Sequence, residues 1–147
     1  MNYPTLFKCL FFSFFCAIYL RVRIFKYKWF HRFAKKEGIS DSELKEIVNQ
    51  LESGQYYADL GGGVYKMELA RKGKGKHGGF RTIVIFKSRS RSFFIFGFPK
   101  SKMDNVDEKD LKGFKGQAKD FLSMTDEHIC QWLKSKALIE ILQEEEK

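Results

Sequence analysis

The stretch from Leu60 to Lys100 constrains the fold most, because it holds three consecutive strand-like runs. Val64–Ala70 alternates apolar and polar residues, as a half-buried strand does. The next two runs, Phe80–Phe86 and Ser92–Phe98, are apolar almost throughout. Such runs are typical of central strands that are covered on both faces. The sequence therefore predicts a small β-sheet with layers on both sides.

Positive charge is concentrated in the same region. Between residues 66 and 102, eleven Lys and Arg residues stand against one acidic residue, Glu68. Residues 103–147 carry seven Lys against eleven acidic residues, so the formal net charge of +9 arises almost entirely in the strand region. A focused positive charge indicates a surface on which a polyanion docks.

Arg81 stands out within the second apolar run, because a guanidinium stays charged and needs a partner when it is buried. Lys66 would lie on an adjacent or nearby strand, close enough to contact the same phosphate, and Arg71 and Lys100 would flank the pair at strand ends. Four such cations suit the charge that builds up during RNA cleavage. Their mutual repulsion would lower a lysine pKa and provide a neutral amine as general base. The alternative is a purely electrostatic surface for RNA or protein.

The loop Lys72–Gly79 alternates cations with glycine, which permits close backbone approach to a phosphate. It lacks the spacing of a Walker A motif. The alternative is a flexible hairpin loop with hydrated lysines. His77 has a suitable pKa for an acid or base, although no partner for it is evident in the sequence. The predicted RNA-binding residues are Lys72, Lys74, Lys76, His77 and Lys102.

Three aromatic residues of the strands, Tyr65, Phe80 and Phe98, are candidates for stacking on a nucleobase. Aromatic residues on strands more commonly belong to the hydrophobic core. Both interpretations stay open at the level of the sequence.

A helical hairpin is predicted ahead of the sheet. Val22–Lys26 reads as a first strand, and Tyr27–Lys36 has apolar residues at helical spacing before Gly38, a typical helix stop. Ser40–Glu43 forms a capping box for a second helix. The apolar stripe of this helix consists of Leu44, Ile47, Val48 and Leu51.

Further helices are predicted after the sheet. Pro99 stops the last strand. Asp107, together with Asp110, begins one helix, and Thr125 caps another. Ala137–Leu142 is a short apolar end that fits either a strand or a docking tail.

Composition indicates one globular domain that needs no cofactor. The chain has 147 residues, of which 44% are hydrophobic. Its three cysteines and three histidines show neither a disulfide framework nor zinc-ligand spacing, so we expect no metal and a reducing, cytoplasmic setting.

Residues 1–21 differ from the rest and form a hydrophobic leader. The apolar run Cys9–Leu20 would span about 18 Å as a helix, less than the roughly 30 Å of a bilayer core. Three interpretations stay open: a translation start assigned too early, with Val22 as the first residue, an interfacial or membrane-tethering segment, and a cleaved signal peptide. We expect the main domain to cover residues 22–142, and residues 143–147 to form an acidic tail.

Several segments, taken in order, resemble the toxins of the RelE/HigB-like branch of the RelE/ParE superfamily, from bacterial type II toxin–antitoxin systems. The segments that carry the resemblance are RIFKYKWFHRFAKKEGIS, ADLGGGVYKMELAR, GGFRTIVIF and FGFPKSKMDN. It extends from about Val22 to Leu142. The resemblance implies a compact α+β domain with an N-terminal strand and helical hairpin packed on a curved, mainly antiparallel sheet, followed by C-terminal helices.

The resemblance also implies an activity, that of a metal-independent mRNA endoribonuclease, or mRNA interferase, which inhibits translation, commonly in the ribosomal A site. In such toxins a Y-K-x-x-L strand supplies a catalytic lysine, which corresponds to Lys66. An aromatic-Arg pair supplies a phosphate-contacting arginine, which corresponds to Arg81, and the cation after the last strand resembles Lys100. A cognate antitoxin, a small helix-turn-helix protein, is the implied partner.

The chain departs from RelE itself at two places. Glu68 stands where RelE has a second lysine, and no tyrosine follows the last strand. The proton-transfer groups are therefore left open. Two rival functions also remain: a ParE-like gyrase poison that cleaves no RNA, and a non-catalytic basic module that binds RNA or protein.

Overall fold

The computed structural model describes residues 22–70, 78–101 and 106–143. The N-terminal half of this part contains β1 (Arg23–Tyr27), α1 (Lys28–Glu37), α2 (Asp41–Glu52), β2 (Ala58–Gly61) and β3 (Val64–Leu69). The remainder contains β4 (Phe80–Lys87), β5 (Arg91–Pro99), α3 (Glu108–Leu122), α4 (Asp126–Lys134) and β6 (Leu138–Ile141).

The predicted helical hairpin is confirmed, and its two ends form as the sequence indicates. Gly38 adopts a left-handed conformation with φ of 71°, and its N–H donates to the carbonyl of Ala34. The Ser40 hydroxyl accepts from the N–H of Glu43, while the Glu43 carboxylate accepts from the N–H of Ser40. These reciprocal bonds satisfy backbone donors that a helix start would otherwise leave unpaired.

The six strands of the described residues form one open sheet in the order β2-β3-β4-β5-β1-β6. Neighbouring strands are antiparallel, except that β1 and β5 are parallel. The two apolar runs, now β4 and β5, occupy central positions, as their composition predicts. The α+β class and the mainly antiparallel sheet are therefore confirmed. The apolar C-terminal end forms a strand, β6, along the outer side of β1.

One strand, β2, escapes the sequence analysis. It has only four residues, Ala58–Gly61, and it includes Asp59 and a glycine, residues that are depleted in strands. A tight turn joins it to β3, and Gly61, Gly62 and Gly63 all have positive φ in this turn. Because a positive φ strains a residue that has a Cβ, the three consecutive glycines allow the backbone to form this turn.

Two layers of helices cover the two faces of the sheet, and each layer has its own hydrophobic core. The core beneath α1 and α2 includes Phe30, Leu44, Val48, Met67, Phe80 and Phe94. The core beneath α3 and α4 includes Val64, Ile83, Ile85, Phe93, Phe121 and Ile129. Alternate residues of β3 and β4 enter opposite cores, because side chains alternate along a strand.

Two parts of the expected domain organisation lie outside the described residues: the leader at positions 1–21 and most of the acidic tail. The boundaries proposed for the leader, the domain and the tail remain predictions. Within the part of the chain that the structure describes, no helix has the length and apolar composition that a bilayer crossing requires.

Gly97 provides a test of how closely α1 packs on β5. A Cβ at this position would lie 2.7 Å from Cδ1 of Phe33 and 3.1 Å from Cε2 of Phe30. We expect Gly97→Ala to lower the free energy of unfolding by about 1–3 kcal/mol, because overpacking displaces both rings. Urea unfolding of the purified variant measures the change.

Gly113→Ala is the matched control, since a Cβ at Gly113 meets nothing within 4 Å. Because this glycine lies inside α3, the substitution should stabilise the protein by about 0.5–1 kcal/mol. Equal unfolding midpoints for the two variants would contradict the close contact at Gly97.

Candidate cationic site on the central sheet

The pairing of β3 with β4 brings Lys66 and Arg81 together. In this antiparallel pair, Lys66 lies opposite Ile83 and Glu68 lies opposite Arg81. Residues opposite each other point to the same face, and so do alternate residues of one strand. Lys66, Glu68 and Arg81 therefore share one face of the sheet, the face that α3 and α4 cover farther along. The prediction that Lys66 and Arg81 occupy neighbouring strands is confirmed.

Lys66 is an unusual lysine, because only 6% of its surface is exposed. Burial lowers its pKa, since the ammonium loses hydration, and the positive charge of Arg81 lowers it further. Repulsion between cations is the cause that was predicted from the sequence. In the structure, burial is the larger cause.

Tyr57 is the aromatic residue that contacts both cations. The Arg81 Cζ lies 4.7 Å from the centre of its ring, and the Lys66 Nζ lies 5.7 Å from it. Arg81 Nη2 also donates to the Tyr57 hydroxyl at 3.1 Å. These contacts combine cation–π attraction with a hydrogen bond from a charged donor.

Tyr57 is a site residue that was not predicted from the sequence, because the strand β2 was not predicted either. The backbone N–H of Tyr57 donates to the Lys66 carbonyl. The next residue, Ala58, is the first residue of β2 and pairs with Lys66. A period-two reading of Gln55–Ala58 would have pointed Tyr56 and Tyr57 to opposite faces, and this alternation was the available signal.

Lys100 and Glu68 form the exposed side of the same cluster. Lys100 Nζ lies 3.0 Å from a Glu68 carboxylate oxygen, and Arg81 Nε lies 3.8 Å from the same atom. The backbone N–H of Lys100 donates to the Gly79 carbonyl and so ties the end of β5 to the start of β4. Lys100 thus lies beside Arg81, as predicted, and Glu68 partly neutralises both cations.

The strand aromatics considered for nucleobase stacking belong to the hydrophobic cores. Tyr65 packs against Phe86 and Tyr56 on the face opposite Lys66, and Phe80 is buried against Phe33 on that same face. Phe98 is buried in the core beneath α3 and α4. Their arrangement therefore supports the core interpretation, and the accessible aromatic ring at the cations is that of Tyr57.

Other predicted site residues lie outside the described residues. These are Arg71, Lys72, Lys74, Lys76, His77 and Lys102. Their roles stay predictions.

Within the described ranges, no three His, Cys, Asp or Glu side chains are grouped so that they could hold a metal ion. The expectation of a metal-independent reaction is a prediction about chemistry and stays one. The groups that the site does provide are cations, a phenol and a carboxylate. Such a set can hold a phosphate oxygen and accept or donate a proton.

The fold agrees with that of the family to which the chain belongs. The family model of the RelE toxin of the RelE/RelB toxin–antitoxin system matches residues 22–141, so the protein is a member of the RelE toxin family. It is accordingly the toxin component of a toxin–antitoxin system, and the family implies an antitoxin partner. No curated protein sequence matches the chain.

The lowered pKa of Lys66 is directly testable. We expect the Lys66 ammonium to titrate below the ordinary lysine range, and we expect Arg81→Ala to raise its pKa because both the repulsion and part of the burial are removed. NMR titration of isotope-labelled lysine side chains measures the value. Lys87→Ala is the control. It removes a cation from the exposed end of β4, the strand that carries Arg81, and should leave the Lys66 pKa unchanged.

The same shift predicts a pH dependence of stability. Because the Lys66 pKa is lower in the folded protein than in the unfolded chain, the unfolded chain binds more protons between the two values. The contribution of Lys66 to the free energy of unfolding should therefore rise with pH across that interval. A Lys66→Met variant should lack this rise in the free energy of unfolding with pH. An identical rise in the variant would contradict its assignment to Lys66.

Proposed function

We propose that the protein is an mRNA endoribonuclease that inhibits translation. The observation that supports this most is the convergence of Lys66 and Arg81 on one face, at the same tyrosine ring. A largely buried lysine with a lowered pKa next to an arginine fits a reaction that needs both a proton acceptor and stabilisation of negative charge.

In the proposed reaction, the ribose 2′-OH attacks the adjacent phosphorus while the bond from phosphorus to the 5′-oxygen breaks. Lys66, as the neutral amine, accepts the proton of the 2′-OH. The products are a 2′,3′-cyclic phosphate and an RNA fragment whose 5′-oxygen takes up a proton from water, while Lys66 releases the proton of the 2′-OH to the solvent. No metal ion enters this scheme.

Arg81 stabilises the transition state in this scheme. Its planar guanidinium can donate two parallel hydrogen bonds to the phosphate oxygens, on which negative charge accumulates. Arg71 is proposed to assist it. Lys100 binds the neighbouring RNA backbone, as do the loop cations Lys72, Lys74 and Lys76, together with His77 and Lys102.

The biological setting follows from the same proposal. The substrate is mRNA, free or bound on the ribosome, and the site of action is the cytoplasm. A small helix-turn-helix antitoxin encoded beside the toxin neutralises it. Inspection of the neighbouring reading frame tests this last element.

Induced expression should stop growth and cut transcripts, and Arg81→Ala should abolish both effects because the phosphate loses its planar donor. Primer extension on cellular mRNA and product analysis for cyclic phosphate measure cleavage. Arg32→Ala is the matched control, since Arg32 is exposed on α1, over the opposite face. It should remain toxic.

Other outcomes would overturn the proposal in distinguishable ways. Growth arrest with intact transcripts and an induced DNA-damage reporter would support a gyrase poison. Binding to RNA or translating ribosomes without any product would support a non-catalytic basic module. Full toxicity of a folded Arg81→Ala variant would contradict the assigned site.

Glu68 allows a separate test of whether this face binds the RNA backbone. Glu68→Gln removes the carboxylate that lies against Lys100 and Arg81. We expect it to tighten binding of a 2′-O-methyl RNA, which cannot be cleaved, by about 3-fold at low salt. Fluorescence anisotropy over a salt series measures the affinity, and the gain should shrink as salt screens the charges.

Glu46→Gln is the control for this comparison, because Glu46 is an exposed acid on α2, over the other face. It makes the same change in net charge. An equal gain in affinity from the two variants would mean that RNA responds to overall charge and not to this face.

A further inference from the structure

Tyr57 is poorly explained as a structural residue. About half of its surface, 51%, is exposed, so it contributes little to either core. Yet its ring contacts both of the cations that the proposed reaction uses, and its hydroxyl accepts a hydrogen bond from one of them. The side-chain contacts of Tyr57 described above are thus with the proposed functional residues Lys66 and Arg81.

We propose that Tyr57 is a positioning residue of the site, which orients the guanidinium of Arg81 and shields the ammonium of Lys66 from water. The inference rests on the nuclease function proposed above and adds to it a residue outside the strand pair. Tyr57 acts through Arg81 and Lys66 and takes no part in bond making.

Arg81 needs such a support, because a long side chain loses considerable rotamer entropy when it is held in one geometry. Its contact with Glu68 is loose, with 3.8 Å between Nε and the carboxylate oxygen. The Tyr57 hydroxyl, at 3.1 Å from Nη2, and the ring centre, at 4.7 Å from Cζ, restrain the guanidinium through two separate contacts. The orientation that Tyr57 selects is then available before the phosphate binds.

Two opposing effects of the Tyr57 ring act on Lys66. Cation–π attraction favours the ammonium, whereas exclusion of water disfavours it. The Nζ atom lies 5.7 Å from the ring centre, close to the outer limit of about 6 Å at which such attraction matters. Only 6% of Lys66 is exposed, and burial is the main cause of its lowered pKa. We therefore expect exclusion of water to outweigh the attraction, so that removal of the ring raises the pKa of Lys66.

The backbone holds Tyr57 in place despite its exposure. Its N–H donates to the carbonyl of Lys66 at 3.2 Å, and the next residue, Ala58, pairs with Lys66 in the β2–β3 ladder. The ring is thus attached to the strand that carries one of its targets. The preceding residue, Tyr56, contacts Tyr65 on the other face and is equally exposed, at 50%.

The test compares Tyr57→Leu and Tyr57→Phe with the parent protein, with Tyr56→Leu as the matched control. The readouts are kcat and KM on a single-stranded RNA or on translating ribosomes, whichever the parent cleaves, and the pH dependence of kcat. We expect Tyr57→Leu to lower kcat about 30-fold with little change in KM, because misorientation of a catalytic group mainly affects the transition state. Tyr57→Phe, which keeps the ring but loses the hydroxyl, should lower kcat only about 3-fold.

The pH profile and the Lys66 pKa separate positioning from general loss of structure. In Tyr57→Leu, the rise of kcat with pH should move to higher pH, and NMR titration without RNA should show a higher Lys66 pKa. Tyr57→Phe should keep the Lys66 pKa of the parent. Tyr56→Leu should retain the parent values of kcat, of the pH profile and of the pKa.

Two results would overturn the inference. One is a Tyr57→Leu variant with the parent kcat and Lys66 pKa, and the other is a Tyr56→Leu variant with the same losses as Tyr57→Leu. The nuclease proposal fails separately, if the parent protein cleaves no RNA in either assay. In that case the NMR measurement still tests whether Tyr57 shields Lys66.

Discussion

The register between β3 and β4 is the constraint on which the site depends. Opposite residues in this ladder are Lys66 with Ile83 and Glu68 with Arg81, so the three charged residues Lys66, Glu68 and Arg81 fall on one face. Because side chains alternate along a strand, a shift of one residue in either strand would turn a cation into the core beneath α1 and α2. The apolar residues that alternate with the cations, such as Met67 and Val84, prevent this shift, since they are buried in that core. The hydrophobic pattern of the strands therefore fixes the geometry of the charged site.

The cations are tolerated in a largely buried setting because their neighbours compensate them in different ways. Arg81 has a carboxylate on one side and a tyrosine hydroxyl on another, while Lys66 lies beneath the ring of that tyrosine. Burial destabilises the charged form of a lysine, and this lowers the pKa of Lys66. Such a perturbed residue is more common in functional sites than in parts of a protein that serve only the fold. A perturbed titratable group beside an arginine is the pattern expected of a functional site.

Aromatic packing supports this part of the sheet from both sides. Trp29 of α1 stacks on Phe96 of β5, with ring centres 4.7 Å apart, and Phe96 in turn contacts Phe114 of α3 at 5.7 Å. This series of rings connects the two helical layers across the last part of β5. Arg81 pairs with Phe98, two residues farther along the same strand. The cations are thus carried by strands that packed rings hold in position.

The sequence by itself determined the helices, the three long strands and the grouping of cations on them, because each depends on local patterns such as the Ser40–Glu43 capping box or the alternation in Val64–Ala70. It also led to Lys66, Arg81 and Lys100 as neighbours, since strands that follow one another in the chain usually lie next to each other in space. Only the tertiary structure decided that β2 exists, that Glu68 bridges the cations and that Tyr57 lies over them. The strand β2 is too short and too polar to show a period of its own, and it becomes a strand only through its bonds to β3. Contacts between residues far apart in the chain, such as Tyr57 and Arg81, depend on which face each side chain takes, and that is settled by strand register and not by local sequence.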